Sequence, residues 1–170
     1  VEEGGCGRYY YAENVYRPSQ ESHTFWEISQ MGLECIGTVD DAVTAQAVSL
    51  AVRSLALMGR DFAVELGHMG FVTGLFDAVG VPEALRPRLL TCVRDRNSHE
   101  LQKTAEAAGL SRQGTEALCR LPALAGDWRA VLAAAEPLAL NTAMGGALEE
   151  LHVLCQALEE RGETARLKLD

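Results

Sequence analysis

The sequence predicts an α+β fold, and three observations carry that expectation. Two runs of strand-type residues, 8–17 and 25–37, flank a polar break over 18–24, which signals a hairpin with a loop too long for a two-residue turn. A helical stretch with apolar residues at 43, 47, 48, 51, 55 and 58 is followed by the alternating segment DFAVEL at 61–66, a change of period from helix to strand. From Val81 to about Leu140 the texture is helical throughout, broken at Pro82, Gly109, 122–126 and Pro137.

Each element has its own signal. The first strand run holds Tyr9, Tyr10 and Tyr11, then Val15, Tyr16 and Arg17; the second holds Phe25, Trp26, Ile28, Leu33 and Ile36. Strand side chains alternate in direction, so Ile28, Gln30, Glu34 and Ile36 should share a face. Asp40 is placed to cap the first helix and Gly59 to stop it. The turn Gly67-His68-Met69-Gly70 opens a helix through Phe71, Leu75, Phe76 and Val79, ended by Gly80. Four short helices are expected over 83–95, 98–108, 112–120 and 128–135; helices of that length must pack on one another to persist. Residues 143–161 form a longer amphipathic helix with Met144, Ala147, Leu148, Leu151, Leu154, Cys155 and Leu158 on one side. An alternating strand starts at 166 and stops in mid-pattern at Asp170, and the Gly-rich 1–7 leads straight into a strand, so the chain is expected to be a fragment. The expected organisation is a core part at 1–80, a helical insertion at 81–140, and a return helix and strand at 141–170.

Composition narrows the function. A chain of 170 residues, 48% hydrophobic, can bury a core. Its net charge of −9 argues against general nucleic-acid binding, which needs a basic footprint. Lys103 and Lys168 are the only lysines; coding bias accounts for most of the arginines. Five scattered cysteines without a CxxC pair read as reduced thiols rather than a disulfide frame or zinc site. No apolar run reaches membrane-spanning length and no signal pattern opens the chain. The expected compartment is the cytoplasm, with no membrane and no nucleic acid as partner.

Candidate sites are few. The turn at 67–70 has two readings, an anion site at a helix N-terminus and a tight strand-to-helix turn. The histidines at 23, 68, 99 and 152 lack metal spacing, so no metal and no cofactor are expected. No GxSxG, HExxH, P-loop or GxGxxG occurs. Gln30 and Glu34 are different. They set an amide and a carboxylate about 13 Å apart on one face of an apolar strand, and such groups serve either a ligand or a structural network. Arg17, at a strand end before a polar loop, could meet a phosphate or carboxylate, or simply face water.

The hairpin as a whole resembles motif 2 of the class II aminoacyl-tRNA synthetases in its histidyl version. That family runs a strand ending in an aromatic residue and Arg, a variable loop, and a return strand close to Gln-x-Gly-Val-Glu-x-Ile-Gly. Here the matching residues are Tyr16-Arg17 and Gln30-Met31-Gly32-Leu33-Glu34-Cys35-Ile36-Gly37. The turn Glu65-Leu66-Gly67-His68-Met69-Gly70 is similar, more specifically, to the non-synthetase branch that serves as regulatory subunit of ATP phosphoribosyltransferase. The likeness is clear over 8–79 and extends in order of elements, though not in motifs, to the rest.

The resemblance implies an antiparallel synthetase-like sheet with flanking helices and a helical insertion. It implies that Gln30 and Glu34 belong to a histidine-type pocket and that Arg17 is a vestigial phosphate-binding residue, with no catalytic residue. In the regulatory branch the chain does not charge tRNA. It self-associates and joins a short-form catalytic subunit in a hetero-octamer, supporting activity and histidine feedback in the first step of histidine biosynthesis. Departures bear on this. Motif 1 and motif 3, with its catalytic arginine, are absent, as is the Arg-Gly-Leu-Asp-Tyr-Tyr-like segment. Trp26 stands near the loop where the family has a basic residue, and the loop is poor in arginine. These changes weaken ATP binding more than the histidine pocket, and adenylation is not expected of the chain as it stands. The alternative expectation is a piece of a histidyl-tRNA synthetase catalytic domain.

Overall fold

The computed structural model describes residues 5–18 and 24–170. They fall into two compact units, Val1–Ser54 and Leu55–Asp170. The first contains β1 (Cys6–Pro18) and β2 (Phe25–Gly37), an antiparallel hairpin in which Cys6 pairs with Gly37 and Pro18 with Phe25. Helix α1 (Asp41–Leu57) follows. Its start is set locally. The Asp40 carboxylate accepts the Val43 amide at 2.8 Å and the Asp40 carbonyl accepts the Thr44 amide at 2.9 Å, which satisfies donors that a helix start leaves unpaired. Gly59, at φ 66, closes the turn that ends it.

The buried positions of α1 differ from the expected stripe. Val43, Ala45, Ser49 and Val52 are buried, whereas Ala51 is exposed and Met58 is 68% exposed. Apolar spacing alone misplaced part of the face: Ala47, Val48 and Leu55 are only half-buried, and Ala51 is small enough to sit in water at little cost.

The second unit holds β3 (Val64–Leu66), α2 (Met69–Val79), α3 (Arg86–Arg94), α4 (Ser98–Ala107), α5 (Arg112–Arg120), α6 (Trp128–Ala135), α7 (Thr142–Glu160) and β4 (Leu167–Leu169). Single 3-10 turns occupy Glu83–Leu85, Leu121–Ala123 and Glu136–Leu138. The helix expected over 83–95 is therefore split. Pro87 lies in the first turn of α3 and lacks an N–H, so the α-ladder begins around it. The expected strand at 61–66 is shortened to three residues, because its partner offers only Leu167–Leu169. Phe62 lies instead under the Arg166 guanidinium, 4.6 Å from its ring centre. The hairpin is antiparallel as expected, while β3 and β4 pair in parallel. Parallel neighbours need a crossover connection, and here helices α2 to α7 supply it.

Polar caps place the helices. Asn97, Ser111 and Asp127 accept N-terminal amides of α4, α5 and α6. Asn141 does more. Its Oδ1 accepts the Met144 amide at 2.9 Å, and its Nδ2 donates to the Gly74 carbonyl at 2.8 Å, tying the start of α7 to the middle of α2. At Gly74 an added Cβ would stand 2.8 Å from Met144 Cγ, so glycine allows the two helices to approach. The core lies around that contact: Leu75, Phe76, Leu89, Leu101, Leu118 and Met144 have no exposed surface.

Candidate functional site

The hairpin register decides where the candidate residues go. Directly opposed residues of an antiparallel pair project to the same face. Tyr9 opposes Glu34, Tyr11 opposes Gly32, Glu13 opposes Gln30, Val15 opposes Ile28, and Arg17 opposes Trp26. Arg17, Gln30 and Glu34 therefore share one face, together with Tyr9, Tyr11 and Glu13. The distances along it are unequal. Arg17 stands across from Trp26, four residues before Gln30, about 13 Å at 3.3 Å per residue, and about twice that from Glu34. One small molecule cannot span the whole face, which instead has two ends. One end offers a guanidinium, suited to a phosphate or carboxylate. The other offers carboxylates, phenols and an amide.

Gln30 is the ordered member of that second end. It is half-buried, and its Nε2 donates to the Tyr11 hydroxyl at 2.6 Å. The Tyr11 ring lies over Gly32, where any Cβ would collide with it. Glycine in the Gln-Met-Gly-Leu-Glu run thus makes room for the ring that meets the glutamine. Glu34 and Arg17 are exposed. Tyr11 and Glu13 escaped the sequence reading, which used alternation within one strand and had no cross-strand register. The odd parity that Tyr11 and Glu13 share with Arg17 was the available signal.

The opposite face carries a different network. The Glu27 carboxylate accepts from Asn14 Nδ2 at 2.7 Å and from the Tyr16 hydroxyl at 3.2 Å, and Ser29 Oγ donates to Asn14 Oδ1 at 2.7 Å. Nearer the other end of the hairpin, Arg8 Nε donates to Gln46 Oε1 of α1 at 2.9 Å. Asn14, Tyr16, Glu27 and Ser29 are thus bonded among themselves, and Arg8 is bonded to α1.

In the second unit the turn at 67–70 is filled by its own histidine. His68 caps α2 by accepting the Gly70 amide on Nδ1 at 3.1 Å, and its Nε2 lies 2.9 Å from Glu150. With Nδ1 accepting, the proton sits on Nε2 and is donated to the carboxylate. At Gly70 a Cβ would stand 2.8 Å from the imidazole, and at Gly67 one would stand 2.6 Å from the Asp170 carbonyl oxygen. Both glycines are explained by close packing, which favours the tight-turn reading over an anion site. A cavity of about 350 Å³ adjoins this turn, lined mainly by aliphatic side chains including Leu90, Leu121, Leu132 and Leu148, with Arg96 paired to Asp170 at its edge.

Of the other histidines, His152 meets the Trp128 ring edge-on at 6.1 Å and His99 is exposed, while His23 lies outside the described residues. Among the described residues no three His, Cys, Asp or Glu groups converge as metal ligands. All five cysteines are free. Burial pushes the Cys155 thiol up to about 11, and nearby Asp127 acts the same way; burial and then Glu106 also raise the Cys119 thiol. Raised thiols are poor nucleophiles near neutral pH.

Comparison with known proteins adds to the geometry. The family description "Histidyl-tRNA synthetase" matches residues 2–170. A protein of Geobacter sulfurreducens called ATP phosphoribosyltransferase regulatory subunit is 32% identical over 162 residues, covering 94% of this chain and 37% of its own length. A protein of the same name from Shouchella clausii is 33% identical over 166 residues, covering 94% and 41%. This chain thus spans well under half the length of these relatives. A crystal structure from Bacillus halodurans, described as an ATP phosphoribosyltransferase regulatory subunit/histidyl-tRNA synthetase, superposes with a TM-score of 0.84 at 30% identity, over 96% of this chain and 42% of that one. A chain of the ATP phosphoribosyl transferase (HisG:HisZ) complex from Thermotoga maritima gives 0.73 at 18% identity, over 98% and 57%, a likeness of fold alone.

Proposed function

This chain belongs to the histidyl-tRNA synthetase family, and we propose that it serves there as part of a non-catalytic regulatory subunit of ATP phosphoribosyltransferase. Its partner is the short-form catalytic subunit, joined with self-association in a hetero-octamer in the cytoplasm, and its role is to support activity and histidine feedback in the first step of histidine biosynthesis. Residues 1–80 and 141–170 supply the synthetase-like core and 81–140 the helical insertion. Gln30 and Glu34 hold histidine, and Arg17 is a vestige of the phosphate end.

The observation that carries this reading is the shared face of Gln30 and Glu34, opposed by Glu13 and Tyr9. That end is rich in acceptors, as a ligand bearing an ammonium and an imidazole N–H requires. The names of the relatives support the regulatory role over the synthetase one. A second reading, a piece of a histidyl-tRNA synthetase catalytic domain, is kept alive by the family description and the double name of the Bacillus halodurans structure.

The test uses the full-length protein. It is co-purified with the short catalytic subunit, and phosphoribosyl transfer is measured with and without histidine. The expected result is a rise in transfer on adding this protein and a fall on adding histidine. Transfer indifferent to this protein would sink the regulatory reading, and histidine-dependent exchange of pyrophosphate into ATP would establish the synthetase one.

A further inference from the structure

We infer that Tyr11 is a positioning residue that orients Gln30 for the amino group of the ligand, an inference that rests on the histidine pocket proposed above. Three observations lead to it. Tyr11 and Gln30 lie on one face, diagonal across the hairpin. The glutamine Nε2 donates to the phenol at 2.6 Å. The phenol ring is seated over Gly32, the one residue type that leaves space for it.

A free glutamine amide rotates broadly about its last torsion. Once Nε2 is engaged by the phenol, the amide is held and Oε1 is left as an acceptor. The directly opposed Glu13 adds a carboxylate acceptor on the same face. Such a surround favours a donor group carrying positive charge, such as a primary ammonium. Tyr11 therefore acts through Gln30, and Gly32 acts through Tyr11.

The experiment is calorimetry on the full-length protein with histidine and with imidazolepropionate, which is histidine without its amino group. Tyr11→Phe keeps the ring and removes the hydroxyl. Losing one such hydrogen bond should weaken histidine roughly 3- to 10-fold, while imidazolepropionate stays within about twofold of its value with the unaltered protein, since no bond to an amino group is lost. Gly32→Ala, which displaces the ring, should reproduce that pattern. Equal weakening of both ligands, or unchanged histidine binding, in Tyr11→Phe would overturn the inference while leaving the pocket standing. No histidine binding by the unaltered protein would overturn both.

Discussion

Leu75, Phe76, Leu89 and Leu118 of the helical unit have no exposed surface, whereas Tyr10 and Met31 of the hairpin are 87% and 82% exposed. Phe25, Trp26 and Tyr16 are also open to water. Two strands have two faces and no third layer, so a hairpin cannot bury its own aromatic residues and is marginal by itself. The helical unit closes a core among α2, α3, α4, α5 and α7. The contrast separates two uses of apolar residues. In the helical unit they hold the fold; on the hairpin they stay open to water, with Trp26 on the face of Gln30 and Glu34 and Tyr10, Tyr16, Phe25 and Met31 on the opposite face.

The largest expected effect probes the first half of that contrast. Phe76→Ala should cost about 3–5 kcal/mol by loss of burial and creation of a cavity, read by urea denaturation. Tyr10→Ala, at the most exposed hairpin aromatic, should stay within about 0.5 kcal/mol. A cost below 1 kcal/mol for Phe76→Ala would break the distinction.

Glu34→Ala tests the second half. The side chain is exposed, so stability should hold within about 0.5 kcal/mol, while histidine binding should weaken by roughly 1.5–3 kcal/mol, the range for a charge-assisted hydrogen bond. Binding as tight as that of the unaltered protein, measured by calorimetry, would remove Glu34 from the pocket.

Asn141→Ala is expected to cost about 1–2 kcal/mol, because one side chain both caps α7 and bonds the α2 backbone. Asn141→Asp keeps the cap oxygen and loses the donor to Gly74, so thermal denaturation should place it between the other two. If it matched alanine, the cap would be the lesser part.

The smallest effect near neutral pH concerns Cys155. Its thiol is held protonated to about pH 11 in the folded chain against an ordinary value of 9.0. The unfolded chain releases that proton first, so this contribution to stability is complete below pH 9 and is lost as pH rises through about 11. Stability of the unaltered protein should fall more steeply over that window than that of Cys155→Ala. Parallel slopes would show that the buried thiol contributes nothing.

Much of the fold was legible because its signals are local. Asp40, Asn97, Ser111, Asp127 and Asn141 precede helices whose first turns they cap, and Gly59, Gly80 and Gly109 end helices at positive φ. The bounds of α5 and α6 follow from their own residues for the same reason. Other features rest on residues far apart in the chain. The buried face of α1 and the shortened strand at β3 depend on neighbours that spacing cannot name.

The candidate site divides along the same line. That Gln30 and Glu34 point the same way follows from the two-residue period of a single strand. That Arg17, Tyr11 and Glu13 join them was decided by the pairing of β1 with β2, a register set between strands rather than within one. The parallel contact of β3 with β4 is the extreme case, since Val64 and Leu167 meet across the whole helical run. Backbone period and capping act over a few bonds and so are written in neighbouring residues; strand pairing and burial are made between distant segments, and only the folded chain chooses among the pairings its residues allow.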